Sequence, residues 1–165
     1  MIQIGILIKN RLKEDGRSVK WLAQKIQCKR RNIYDIFNRS SIDTAKLLRI
    51  SLAMKYNFFL YFTENMIDKI EYALPNTKYC MLPQDEIRIG TLIKGKLEEE
   101  GRSVVWLAQK INCQRNCIYD LLKNKTSVDT TRLMKICKAL KTNFFIYFID
   151  MFNCIAQIEQ KLEIF

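Results

Sequence analysis

The stretch GRSVKWLAQKIQCKRRNIYDIF, Gly16–Phe37, decides how the rest of the chain reads. Gly16 follows Glu14-Asp15 and suits a left-handed C-terminal cap, so a helix ends there. Ser18 can accept hydrogen bonds from free backbone amides as an N-cap. Trp21, Leu22, Ala23 and Ile26 then lay an apolar stripe at helical spacing over about two to three turns. Gln27-Cys28-Lys29 breaks the pattern before Ile33, Ile36 and Phe37 restore it. The spacing therefore predicts two short helices joined by a three-residue turn, the second running from about Lys29 to Phe37.

Upstream, Ile4, Leu7, Ile8 and Leu12 form another helical stripe, with Lys9, Arg11 and Lys13 on other faces. Downstream, Asn38–Ser41 reads as a polar loop and Asp43 as the N-cap of a fourth helix carrying Leu47, Leu48, Ile50 and Met54. Ile42 before the cap and Leu47 four positions into the helix make a hydrophobic staple. A fifth, aromatic-rich helix begins near Asn57, and its Phe58, Phe59, Tyr61 and Phe62 close the core.

This unit occurs twice. Residues 2–39 laid over 87–124 agree at 23 of 38 positions, including GRSV-x-WLAQKI at Gly16–Ile26 and Gly101–Ile111. One extra residue near Lys125 shifts the register, after which Asp43-Thr44 meets Asp129-Thr130 and Asn57-Phe58-Phe59 meets Asn143-Phe144-Phe145. The period exceeds the roughly 20–50 residues of solenoid repeats, so each copy is expected to be a small domain with its own core. The expected division is 1–73, a linker over 74–85 that contains Pro75 and Pro83, and 86–165. After each copy apolar spacing continues, at Met66, Ile67 and Ile70 and at Met151, Phe152, Ile155, Ile158 and Leu162. The longer second extension either folds back on its own domain or pairs with another chain, as a homodimer or with a protein partner.

The net charge of +11 belongs to the repeated units. Residues 1–62 carry +9 and 87–148 carry +7, and the remaining segments are net acidic. Such a balance favours a polyanionic partner, since Lys and Arg on a nucleic acid release condensed counterions. No apolar run approaches the roughly 18 residues of a membrane span, and the N-terminus does not read as a secretory signal. A cytoplasmic protein with reduced cysteines is expected. Cys113 and Cys117 have i, i+4 spacing, but the chain has no histidine and no second cysteine pair at metal-site spacing. Neither a metal nor any other cofactor is expected, and the cysteines read as small apolar side chains.

Ala23 lies where the two short helices cross, and Ile33, ten residues on, packs the second against the first; Ala108 and Ile118 repeat the arrangement. With Ile36 and Leu121, these residues resemble the helix-turn-helix pattern of the phage-repressor and Cro-like class, also called the XRE family. The resemblance covers 2–62 and 87–148. It departs at the turn glycine, replaced here by Gln27 and Asn112; asparagine tolerates the left-handed conformation better than glutamine. The resemblance implies an all-α chain of two tandem five-helix, lambda-repressor-like helix-turn-helix domains with a C-terminal helix. It also implies binding of double-stranded DNA, with the second helix of each pair in the major groove.

Carried onto this chain, the base-reading candidates are Lys29, Arg30, Arg31, Tyr34 and Asp35, then Gln114, Arg115, Asn116, Tyr119 and Asp120. Arginine suits guanine O6 and N7, and glutamine and asparagine suit adenine. Tyr34 and Tyr119 read equally as core or as phosphate contacts. The phosphate candidates are Ser18, Lys20, Asn38 and Arg39, then Ser103, Lys123, Asn124 and Lys125. Val105 stands where the first copy has Lys20, and Lys29/Gln114 and Arg31/Asn116 also differ, so two similar but non-identical half-sites are expected. Trp21 and Trp106 lie on the apolar stripe and are read as core rather than as base-stacking groups.

Two functions fit these residues. One is a sequence-specific transcriptional regulator whose joined domains replace a homodimer. A linker of about a dozen residues reaches roughly 40 Å, enough for half-sites about 34 Å apart. The other is an antitoxin-like or other protein-interaction module that keeps the helix pair as scaffold. Catalysis is not expected, with no histidine for proton transfer and no Gly-rich phosphate loop.

Overall fold

The computed structural model describes residues 2–64, 88–123 and 125–162. The first helical set comprises α1 (Ile4–Glu14), α2 (Val19–Lys25), α3 (Arg30–Phe37), α4 (Thr44–Met54) and α5 (Leu60–Glu64). The second comprises α6 (Ile89–Glu99), α7 (Val104–Lys110), α8 (Arg115–Leu122), α9 (Thr130–Ala139) and α10 (Phe145–Leu162). The fold is all-α helix-turn-helix, with no strand among the described residues. The linker expected over 74–85, with Pro75 and Pro83, and the apolar positions Met66, Ile67 and Ile70 lie outside the described residues.

Local chemistry fixes the helix ends. Gly16 has φ 64°, its N–H donates to Lys13 O, and the Arg17 N–H reaches back to Leu12 O at 3.0 Å. These two bonds close α1 in a Schellman motif, which Gly101 repeats after α6. Ser18 Oγ accepts from Trp21 N and Ser103 Oγ from Trp106 N, each at 3.1 Å.

A second glycine position is set by close approach rather than by dihedral. Gly5, buried in α1, donates its N–H to Arg39 O at 3.1 Å, and a Cβ there would collide with the Ile36 and Phe37 carbonyls at the end of α3. Gly90 repeats this, donating to Lys125 O and leaving no room for a Cβ beside Leu121 O. The N-terminus of α1 is thus seated on the C-terminus of α3.

The aromatic segment differs from expectation. Helix α5 starts at Leu60 rather than near Asn57, because Asn57 Oδ1 accepts from Phe59 N at 3.1 Å and turns the chain first. Asn143 does the same for Phe145. In the second set no separate C-terminal helix follows a fifth one: α10 is continuous over Phe145–Leu162. It does not fold back on its own set alone but packs against α4 and α5 of the first set, burying Phe152 and half-burying Met151 and Ile155.

The core also differs from the expected pair of cores. The buried residues of both sets form one contiguous cluster. Phe62 stacks on Phe145 with ring centroids 4.7 Å apart, Phe59 stacks on Phe148 at 5.1 Å, and Phe59 meets Phe145 at 6.5 Å. Phe59 and Phe145 are equivalent positions, as are Phe62 and Phe148, so the two stacks are the same contact made twice.

A second junction obeys the same exchange. Thr44 N donates to Val128 O and Thr130 N to Ile42 O, both at 2.9 Å. Ile42 N donates to Thr130 Oγ1 at 3.1 Å, and Val128 N to Thr44 Oγ1 at 3.0 Å. Contacts in which equivalent residues exchange partners define an isologous, two-fold interface; here it lies within one chain. It also completes the helix starts. The first amides of a helix have no intrahelical acceptor. Asp43 Oδ1 takes those of Ala45 and Lys46, and the remaining Thr44 amide is taken by the opposite set. Asp129 caps α9 likewise and its Oδ2 also accepts from Ser41 Oγ at 2.7 Å.

Two stability measurements check this description. Gly5→Ala should lower the unfolding free energy in urea by about 3 kcal/mol, since the neighbouring atoms are backbone and cannot rotate away. Thr44→Val keeps the shape but strands the buried Val128 N–H, and should cost about 1–3 kcal/mol in the same titration.

Candidate nucleic-acid interface

The turn between α2 and α3 has the geometry that its sequence resists. Gln27 has φ 53° and Asn112 φ 54°, both left-handed. Gln27 N donates to Gln24 O, and Cys28 N to Ala23 O at 2.9 Å; Asn112 and Cys113 repeat both bonds. The crossing residues Ala23 and Ala108 are buried, as are Ile33 and Ile118, which pin α3 on α2 and α8 on α7.

Pinned in this way, α3 turns its other face to solvent. Lys29, its N-cap, and Arg30, Arg31, Tyr34 and Asp35 are all exposed, and so are Gln114, Arg115, Asn116, Tyr119 and Asp120 on α8. Tyr34 is 56% and Tyr119 48% exposed, which removes the core reading of these two rings. Asn32, also exposed in the first turn of α3, belongs to this surface but was not among the candidates; its counterpart in α8, Cys117, is half-buried.

The start of α3 is electrostatically unusual. It has no side-chain cap and no acidic residue in its first turn, and instead carries Lys29, Arg30 and Arg31. Cations at a helix N-terminus oppose the macrodipole by about 0.3–1 kcal/mol each. Placing three there costs the helix stability and leaves a concentrated positive end with no side-chain cap, which suits an anionic ligand. On α8 only Arg115 remains, beside Gln114 and Asn116.

The phosphate candidates frame this face. Ser18 and Ser103 are exposed N-caps, and Lys20, Asn38 and Arg39 are exposed. Asn38 caps the C-terminus of α3. Lys123 caps α8, exposed and 3.8 Å from Asp120, and Lys125 is exposed. Asn124 lies outside the described residues. Val105, at the position of Lys20, is half-buried.

Trp21 and Trp106 are half-buried against the core. Their remaining faces are covered by the Arg17 guanidinium at 4.2 Å and the Arg102 guanidinium at 4.7 Å, so neither ring is open for a base. The cysteines are less uniformly buried than expected. Among the described residues only Cys137 is fully enclosed, with its thiol pushed up to about 12 by burial; Cys28, Cys113, Cys117 and Cys154 are half-buried. Burial, and then the neighbouring Cys117, raise the Cys113 thiol as well.

Residues 93–144 match the family of Cro/C1-type HTH DNA-binding domains. The matched stretch begins within α6 and takes in α7, α8 and α9, with α8 as the second helix of the pair. No curated protein and no solved structure matches the chain.

The left-handed turn gives a direct check. Gln27→Gly should raise the unfolding free energy by about 1 kcal/mol, seen as a higher melting temperature, and Asn112→Gly should raise it less.

Proposed function

From a chain that carries a Cro/C1-type DNA-binding domain at residues 93–144, we propose a cytoplasmic, sequence-specific transcriptional regulator built by tandem duplication. Residues 1–73 and 86–165 are its two helix-turn-helix units, joined through 74–85, and one chain occupies a two-part site on double-stranded DNA. The observation that carries this reading is the two-fold exchange of partners at Ile42-Asp43-Thr44 and Val128-Asp129-Thr130.

Extended to the whole of each unit, the two-fold that exchanges these residues would relate α3 to α8. Two recognition helices so related meet DNA half-sites in inverted orientation, as the subunits of a symmetric dimer do. Within each half, Arg30 and Arg115 read a shared guanine. Lys29 and Arg31 against Gln114 and Asn116 then make the halves unequal, the second more accepting of adenine. Covalent linkage raises the effective concentration of the second unit, so no second chain is needed for avidity. The chemistry is binding rather than catalysis, and it calls for no cofactor. The C-terminal helix packs part of its apolar face, centred on Phe152, against α4 and α5, which leaves less of it for a partner.

Selection of bound duplexes from a random pool should return an inverted pair of similar, unequal half-sites, and a direct repeat would overturn the two-fold reading. Replacing Arg30 and Arg115 by alanine should cost about 1–3 kcal/mol each in binding to the selected duplex. Undiminished specific binding by the double variant would remove these helices from the reading head.

A further inference from the structure

A cleft of about 300 Å³ opens on the first helical set beside the face just described. Its floor is apolar, from Leu12 and Phe37. Tyr34 of α3 and its C-cap Asn38 form one side, and Lys9, Lys13 and Arg17 supply the charge, with no carboxylate in the lining. Lys9 and Lys13 are four residues apart on α1 and so stand on one face of it. Arg17 is otherwise engaged, donating to Ala53 O at 3.3 Å and lying over Trp21. Lys9 and Lys13 are exposed, and among the described residues neither enters an ion pair.

The second helical set treats the same place differently. Lys94 corresponds to Lys9, but Glu98 replaces Lys13 and its carboxylate lies 3.8 Å from Lys94 Nζ. The two free cations of the first set become a neutral pair in the second.

We infer that the cleft is a second phosphate-binding groove: the DNA strand that passes Tyr34 and Asn38 continues over α1, where Lys9 and Lys13 neutralise its backbone. The inference rests on the DNA-binding reading above and adds an element, α1, that the helix pair does not include. DNA backbone is favoured over other polyanions because two of the cleft's residues belong to α3 itself, so any duplex seated on that helix runs past the cleft. The hold is one-sided. The flank outside the first half-site is gripped, and the flank outside the second is not.

The test uses the full chain on a mixed-sequence duplex of about 30 base pairs, titrated between about 50 and 200 mM salt. Each phosphate neutralised contributes about 0.9 to the slope of log K against log salt. Lys9→Gln with Lys13→Gln should therefore reduce the slope by roughly 1.8, while Lys94→Gln, which removes an already paired cation, leaves it nearly unchanged. Glu98→Lys should steepen it. Both lysines are exposed, and an unchanged melting temperature shows that the variant is folded. A wild-type slope in the double variant, or an equal loss in Lys94→Gln, overturns the groove while leaving DNA binding intact. A wild-type chain that binds no duplex, or binds it independently of salt, overturns both.

Discussion

A buried amide must find an acceptor, and the amide of Thr44 finds it in the other helical set. Asp43 satisfies the next two amides of α4, so the helix start is complete only when Val128 O is present; α9 depends on Ile42 O in the same way. An unpartnered buried backbone group costs about 1–3 kcal/mol, and four such groups are settled together at this junction. The helix starts and the association of the two sets are therefore one requirement, met by residues 42–44 and 128–130.

The rest of the architecture follows outward from that point. The loop preceding Ile42 leads back to Arg39, whose carbonyl holds Gly5 at the start of α1. Helix α1 sits on the end of α3, and α3 is fixed to α2 through Ile33 and Ala23. The exposed face of α3 is thereby referred to the two-fold through backbone contacts rather than through long side chains. The aromatic stacks, made by residues that follow the other end of α4, hold the same relationship from a second place, so the two sets cannot pivot about the Thr44–Thr130 junction alone.

What could be read in the sequence was the chemistry of neighbours along the chain. Gly16, Ser18 and Asp43 act as the caps that their types and positions predict, and Ile33, Ile36 and Phe37 face inward as their spacing requires. The exposed residues of α3 and α8 follow from the same periodicity. What escaped was set by contacts far along the chain. Gly5 looks like an interruption of an apolar stripe until the carbonyls of α3 are placed against it, though its recurrence as Gly90 was a visible signal. Thr44 and Thr130 read as ordinary first helical residues, because their hydroxyls act on the opposite set. The destination of α10 was hidden for the same reason: an apolar face specifies burial, not the surface that covers it. Lys9 and Lys13 were visible as charges on a helix face, but their freedom was measurable only against the Lys94–Glu98 pair.

The intramolecular two-fold has a genetic consequence. In a symmetric dimer one gene encodes both halves, so every substitution is made twice, and a change that suits one side is forced on the other. Here each position is mutated once. Thr44 and Thr130 each complete the other's junction, so a change at either is felt at both, whereas a change at Arg31 or Asn116, or at Lys13 or Glu98, need not be matched at the other. The junction is symmetric while the two outer surfaces differ in charge.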